Sequence, residues 1–422
     1  MDADVLIVGA GPAGLAAAAE LRRRGVRRVV VADREAAPGG IPRHSKHTGY
    51  GLRDLHRVLS GPAYARALTD AAARAGAQLR AGCTVTDLRA GGGGPSATVT
   101  SAAGIEEVQA GAVLLATGCR ERPRAARLVP GDRPSGVLTT GELQQRVYLA
   151  GERLAGRALV VGAEHVSFSA AVTLAHAGAR VLALVTDQPR HQSYAAFKLG
   201  AALRWRVPVW TSTAVTRVTG ANGRLAAVEV SGVDGGPSRV IACDWLVFTG
   251  DWIPDHVLAR TACLTLDKGT LGPAIDTTMA TSAPGVFAAG NLVHAAETAD
   301  VAALSGRHAA RQITLYLAAA GRPVPSSVPV VAETPLRWIS PNAIDPGVLP
   351  PLGRFAIRPA EYRERARLEA WQDGTLLARS RPLRLIPGRP VHLRAAWVTS
   401  VDPAGGPVRV GAAHSSSSGG AI

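Results

Sequence analysis

The pattern with the clearest chemical meaning is Val5-Leu6-Ile7-Val8-Gly9-Ala10-Gly11-Pro12-Ala13-Gly14, near the start of a 422-residue chain. Each glycine of this Gly-x-Gly-x-x-Gly run has a separate task. Gly9 makes a tight turn, Gly11 lets the backbone approach a pyrophosphate, and Gly14 lets helix and strand pack closely. The helix that follows offers free N–H groups and the positive end of its dipole to phosphate. A second apolar strand, Arg28 to Ala32, leads to Asp33, placed to accept hydrogen bonds from ribose hydroxyls. Strand, glycine turn, Ala-rich helix to Gly25, second strand and acid together predict a dinucleotide site.

A second copy of the unit runs from Gly156 through Gly162, and Gly178 closes its helix as Gly25 closes the first. Here Glu164 stands where Gly11 stands, and Ser167 where Gly14 stands. Serine at the third position is tolerable, because that glycine serves packing. Glutamate at the second puts a side chain and a negative charge where backbone must approach pyrophosphate. The second nucleotide site (Gly162, Glu164, Ser167 and Asp187) is therefore degenerate, and ordinary NAD(P) binding is not expected there. If it does bind a pyridine nucleotide, Asp187 favours NAD and Arg190 favours NADP.

These motifs need elements to hold them. After Asp33 a Gly- and Pro-rich loop, Pro38 to Gly51, precedes a helix at about Pro62 to Ala75. Alternating runs near Gln78 to Arg89, Ala97 to Ser101 and Glu106 to Gln109 read as a β-meander, and Ala112 to Gly118 as a closing parallel strand. The second unit has its own meander, Val207 to Val240, and its own closing strand, Cys243 to Gly250. Thr281 to Asn291 returns as strand and loop, and a long amphipathic helix covers about Thr298 to Ala319. The expected fold class is α/β, with two Rossmann-like dinucleotide-binding domains, each bearing a meander, and a small C-terminal antiparallel β-domain. The expected boundaries are 1–121 with 270–321 for the first domain, 122–269 for the degenerate one, 322–349 for a Pro-rich linker, 350–411 for the β-domain and 412–422 for a disordered tail.

Composition narrows the rest. Hydrophobic residues make up 47% and charged ones 19%, ordinary for a globular protein. The net charge of +15 comes from arginines scattered through every segment, with lysine only at 46, 198 and 268, so no nucleic-acid partner is expected. No signal sequence and no run long enough to span a membrane is read, which makes cytoplasm the expected location. Cys83, Cys119, Cys243 and Cys263 stand apart without Cys-x-x-Cys or metal-type spacing, so no metal site is expected.

Gly9–Gly14, Ala116-Thr117-Gly118 and Pro284–Asn291 together resemble the two-dinucleotide-domain flavoproteins, the group of thioredoxin reductase and glutathione reductase, over about residues 1–321. Gly39-Gly40-Ile41-Pro42-Arg43 with His47-Thr48-Gly49-Tyr50-Gly51, then Gly118–Arg124 and Val161–His165, are similar to the FAD-binding subunits of opine-oxidase and glycerol-3-phosphate-dehydrogenase-like complexes. The resemblance implies FAD on Gly9, Gly11, Pro12, Ala13, Gly14, Asp33, Arg34 and Gly40, with Thr117 and Gly118 near the adenosine-pyrophosphate portion. Gly290 and Asn291 match a Gly-Asp pair whose acid holds the ribityl chain, an amide replacing the acid here. His47 is the catalytic candidate, an imidazole near the reacting edge of the flavin, although a loop histidine that fixes the backbone is the simpler role. Arg43 and His44 are weaker candidates for an anionic group. His294 and Glu297 could line the same face, or Glu297 could serve helix entry.

Departures from the group matter as much. Where glutathione-reductase-type enzymes place their two cysteines, this chain has Pro42 and His47, and the Cys-x-x-Cys of the thioredoxin-reductase type is missing. An internal redox disulfide is therefore not expected. The reading is an FAD-dependent oxidoreductase, a subunit of a multi-component dehydrogenase for an amino-acid-derived or hydroxy-acid substrate. Its expected partners are a small iron–sulfur protein and a second flavoprotein subunit, or further copies of itself. A self-sufficient NAD(P)H-dependent flavin oxidoreductase and a non-catalytic FAD-binding scaffold stay open beside it.

Overall fold

The computed structural model describes residues 2–91, 94–193, 207–295, 297–320 and 327–414. They form two compact units, one of residues 1–43, 48–119 and 254–422, the other of 44–47 and 120–253.

In the first unit the seven-stranded sheet is organised by β1 (Asp2–Val8) and β2 (Val29–Asp33), joined through helix α1 (Pro12–Arg23). Val5, Leu6, Ile7 and Val8 are all buried, as a parallel strand covered on both faces must be. Strand Gln78–Ala81 pairs parallel with β2 at the edge, so this part of the run read as meander belongs to the Rossmann sheet. The runs at Glu106 and Ala112 are one strand, Gly104–Leu115. Its first half pairs antiparallel with Ser96–Ser101 and its second half parallel with β1 and with Val286–Ala288. No turn-forming pair interrupts it, which is why meander and closing strand fuse. The helix Ala299–Ala318 packs its buried alanines and Ile313 into the same core.

The C-terminal strands start earlier than expected. Val328–Ala332, Leu336–Ser340 and Ala343–Ile344 lie inside the stretch read as a linker (322–349), of which 322–326 fall outside the described residues. Pro335 and Pro341 sit in the connections between strands, so the prolines punctuate a sheet rather than stiffen a spacer. Nor is the β-region wholly antiparallel, because Val328–Ala332 runs parallel to Val408–His414. That last strand also carries residues 412–414, expected in the tail, while 415–422 lie outside the described residues. A six-stranded and a three-stranded sheet share a core of Phe355, Ile357, Leu368, Val408 and Val410. The module is tied to the dinucleotide-binding part of its own unit. Asn342 N donates to Ile275 O (2.8 Å) and Asp345 N donates to Thr277 Oγ1 (3.0 Å).

The second unit has a five-stranded parallel sheet in the order Val137–Thr139, Trp245–Phe248, Gly156–Val161, Ala179–Val185, Val209–Trp210. The helix His165–Ala177 follows Gly156–Val161. Beside the sheet lies the three-stranded meander Thr213–Ala221, Arg224–Gly232, Arg239–Ala242. Val209–Trp210, read as meander, extends the parallel sheet instead.

Candidate functional site

The Gly9 turn has the geometry of a pyrophosphate cradle. A Cβ on Gly14 would lie 1.9 Å from Gly9 O, and a Cβ on Gly11 would meet nothing within 4 Å. The third glycine is thus demanded by the protein's own backbone, while the second opens onto free space at the end of α1. Gly11 is the N-cap, Pro12 opens the helix, and no side chain caps it, which leaves its first N–H groups for a ligand. Around this end, Gly39 N donates to Ala10 O (2.8 Å), bringing the loop with Gly40 onto Gly11. Asp33 accepts from Ala10 N (2.5 Å) and Glu35 N (2.8 Å), which fixes its carboxylate at the end of β2. Arg34 pairs with Asp255 (3.3 Å), and Thr117 Oγ1 donates to Asp255 O (2.8 Å), so Thr117-Gly118 and Asp33-Arg34 meet around one segment. Gly290 N donates to Ser305 Oγ (3.0 Å), and a Cβ there would lie 2.8 Å from the Cβ of Ala13. Gly9, Gly11, Ala13, Gly14, Asp33, Thr117 and Gly290 therefore converge. The uncapped helix end and the open space at Gly11 fit a dinucleotide.

The Gly162 turn is filled by its own side chains. Glu164 is the N-cap of the helix His165–Ala177. A Cβ on Gly250 would lie 2.9–3.0 Å from the Glu164 carboxylate atoms, which shows that this carboxylate rests against the neighbouring strand end. Ser167 Oγ accepts from Glu164 N (3.1 Å) and pairs with Thr249 Oγ1 (2.6 Å), which in turn donates to Val161 O (2.7 Å). Arg127 donates to Gly250 O (2.8 Å) and lies 5.3 Å from the Phe248 ring centroid. Glu164 is one of the carboxylates whose field acts on it. Asp187 is exposed and accepts from Gln188 Nε2 (3.1 Å). The second turn thus carries a carboxylate beside Gly250, and the neighbouring Arg127 is committed to backbone carbonyls.

Asn291 reveals why an amide replaces the usual acid. Its Oδ1 accepts from Glu297 N (2.9 Å) and its Nδ2 donates to Glu297 O (3.2 Å). A carboxylate could not make the second bond. Glu297, pinned in this way, faces a cationic side of the C-terminal module that sequence reading did not bring together with it. His392 Nε2 is 3.9 Å from Glu297 Oε1, and Arg358 donates to Ala295 O (3.0 Å). Burial raises the Glu297 carboxyl above its ordinary range against the pull of Arg358, Arg354 and Arg53. Burial first, then neighbouring cations, lowers His294 to about 3 and His392 to about 4. Arg53, Arg354, Arg358 and His392 carry no motif. Strand pairing far apart in sequence brings Arg354, Arg358 and His392 together, and Arg53 joins them from a loop, bonded to Thr298.

His47 is exposed and falls in the unit of residues 120–253, as do His44 and Lys46, the latter 5.0 Å from the Tyr148 ring centroid. Arg43 belongs to the other unit, 3.9 Å from Glu35. No disulfide joins Cys83, Cys119, Cys243 or Cys263, and burial raises the Cys243 thiol to about 11. Among the described residues no cluster of ligating side chains could hold a metal, and no helix is long and apolar enough to cross a membrane.

Residues 3–306 match the family described as pyridine nucleotide-disulphide oxidoreductase. The chain belongs to that family. Its members bind FAD, and the chain is accordingly a flavin-dependent oxidoreductase. It is 34% identical to an opine oxidase subunit of Agrobacterium tumefaciens over 42% of its length, and spans 35% of that relative. It is 33% identical to a ferredoxin–NADP reductase of Salinispora tropica, over 69% of this chain and 86% of that one. The structure of T. acidophilum thioredoxin reductase superposes with a TM-score of 0.64 at 22% identity, covering 75% of this chain and 99% of that one, which supports the fold.

Proposed function

We propose that this flavoprotein is the FAD-carrying subunit of a multi-component dehydrogenase for an amino-acid-derived or hydroxy-acid substrate, working with a small iron–sulfur protein and a second flavoprotein subunit. The observation that carries the reading is the Glu164 carboxylate seated in the second pyrophosphate turn. A member of this family that cannot take electrons from a pyridine nucleotide must take them from another donor. Similarity to a protein named as an oxidase subunit supports the assembly, and the chain's span of about a third of that relative leaves its activity part of this proposal.

Bound FAD supplies a two-electron acceptor that can release electrons singly. The chain's residues bind and orient it. The free N–H groups of Gly11 and Ala13 at the start of α1 would hold the pyrophosphate, with Pro12, which has no N–H to offer, fixing the first turn. Asp33 would hold the ribose, and Thr117, Gly118 and Gly290 would line the same site. Asn291 fixes the loop carrying Glu297, and His47 is the proposed proton carrier. The module of residues 328–414 is part of the same unit and sets Arg358 and His392 beside residues 295–297.

Tagged full-length chain purified from its native host tests this. Co-purification with a flavoprotein and an iron–sulfur protein, and flavin reduction by an amino or hydroxy acid only in that complex, are expected. Purification alone, with NADH or NADPH as the sole effective reductant, would contradict it. Similarity to ferredoxin–NADP reductase over most of that protein favours this second reading, a self-sufficient NAD(P)H-dependent flavin oxidoreductase.

A further inference from the structure

In the three-stranded sheet of Leu336–Ser340, Arg354–Pro359 and Val391–Arg394, side chains alternate between faces. Phe355 and Ile357 enter the core, so Arg354 and Arg358 take the other face. Register sets Trp338 beside Arg358 and His392 beside Ala356, adding both to that face. Arg358 is locked there, donating to Ala295 O (3.0 Å) with its guanidinium 5.2 Å from the Trp338 centroid. Arg53 arrives from another loop, donating to Thr298 Oγ1 (3.0 Å) and pairing with Asp300 (3.5 Å).

Two groups in this cluster are left over. Glu297 Oε1 is buried without a hydrogen-bond partner among the described residues, on a side chain only 7% exposed. Half-buried Arg354 acts on Glu297 through its field, yet its side chain forms no hydrogen bond or ion pair with the described residues. A buried acceptor without a donor is costly, and native structures seldom keep one without a use. Three guanidinium groups face two carboxylates, Glu297 and Asp300, while His294 and His392 are neutral at pH 7. These groups thus carry a surplus positive charge beside a group seeking a donor.

We propose that this site binds a small carboxylic acid bearing a hydrogen-bond donor on the adjacent carbon, an α-hydroxy or α-amino acid. Its carboxylate takes the Arg354 fork, and its hydroxyl or ammonium donates to Glu297 Oε1. Asn291 positions Glu297 for this, and the C-terminal sheet supplies the cationic wall. Binding stands apart from the redox reading, but the ligand's role as substrate rests on it.

Calorimetric titration of the FAD-loaded full-length chain with glycolate, glycine and acetate tests the proposal at millimolar concentrations, the range for such small ligands. Glycolate or glycine should bind at least about tenfold more tightly than acetate, a gap set by one buried hydrogen-bond partner. Binding of glycolate alone selects the hydroxy acid, and of glycine alone the amino acid. Arg354→Leu and Glu297→Gln should each weaken the tighter ligand at least about tenfold, with flavin content unchanged. Should Arg354→Leu fail to fold, Arg354→Lys, which keeps the charge but loses the fork, should show a weakening of the same sign. Equal binding of acetate, no binding by either acid, or unchanged affinity in the variants would overturn the proposal. So would loss of FAD from both variants, which places these residues against the cofactor. Preserved binding in a chain whose flavin only pyridine nucleotides reduce would sink the dehydrogenase reading alone.

Discussion

Two turns in this chain share one backbone plan and differ in what fills them. At Gly9 the protein leaves the second position open and closes the third against its own carbonyl. At Gly162 a carboxylate occupies the second position, and a serine hydroxyl bridges Glu164 N and Thr249. The comparison separates two uses of a glycine fingerprint. The strand–turn–helix connection survives with Ser167 at the third position because a hydrogen-bonded hydroxyl holds the turn. We propose that the phosphate grip does not survive Glu164, because an N-cap carboxylate opposes the anion that the helix end would attract.

Exchanging residues between the turns should break the comparison in stages. Gly14→Ser, which imports the second turn's residue into the first, has the largest expected effect. Its Cβ would fall 1.9 Å from Gly9 O, so the variant should be insoluble or unfolded by circular dichroism. A folded, yellow Gly14→Ser protein would show that the first turn can relax as the second has. Gly11→Glu comes next. Its Cβ enters open space, so the fold should persist while flavin affinity drops by about two decades or more, as expected when a charge opposes a charge-assisted phosphate contact. Full flavin occupancy in that variant would move the cofactor away from this turn.

Glu164→Gly runs the exchange in the other direction. Removing the carboxylate should yield measurable NADH or NADPH affinity, a gain of roughly 1–3 kcal/mol or about one to two decades by equilibrium titration. No gain would mean that Arg127, committed to Thr249 O and Gly250 O, closes the turn on its own. Ser167→Ala should do least. It removes a hydroxyl bonded to Glu164 N and Thr249 Oγ1, costing about 1 kcal/mol and lowering Tm by about 2–4 °C. An unchanged Tm would assign the turn's stability to the helix backbone instead.

The two βαβ units were legible because their information is local: glycine spacing, apolar runs and a terminal acid all lie within thirty or so residues. The altered residues Glu164 and Ser167 could be read the same way. The C-terminal module was blurred where Pro329, Pro335 and Pro341 hid the Val328 and Val330 alternation, since proline reads as a linker unless its place, near a strand end for Pro329 and between strands for the other two, is known. Glu297 was visible as a residue near Gly290, but its setting was not. Arg354, Arg358 and His392 reach it through strand pairing across long stretches of chain, Arg53 from a distant loop, and no spacing rule records that. The role of Asn291 was likewise hidden, because a substitution that weakens one contact in the family pattern makes another here.

We propose that the second turn is closed to pyridine nucleotides, and anaerobic mixing of the FAD-loaded wild-type chain with NADH and NADPH shows whether it is. Flavin absorbance followed by stopped flow should stay unbleached over seconds at nucleotide concentrations up to about 100 μM, as expected if binding falls short of the micromolar range. Rapid bleaching that saturates at micromolar NADH or NADPH would show that Glu164 does not close the site, and would give first place to the self-sufficient reductase.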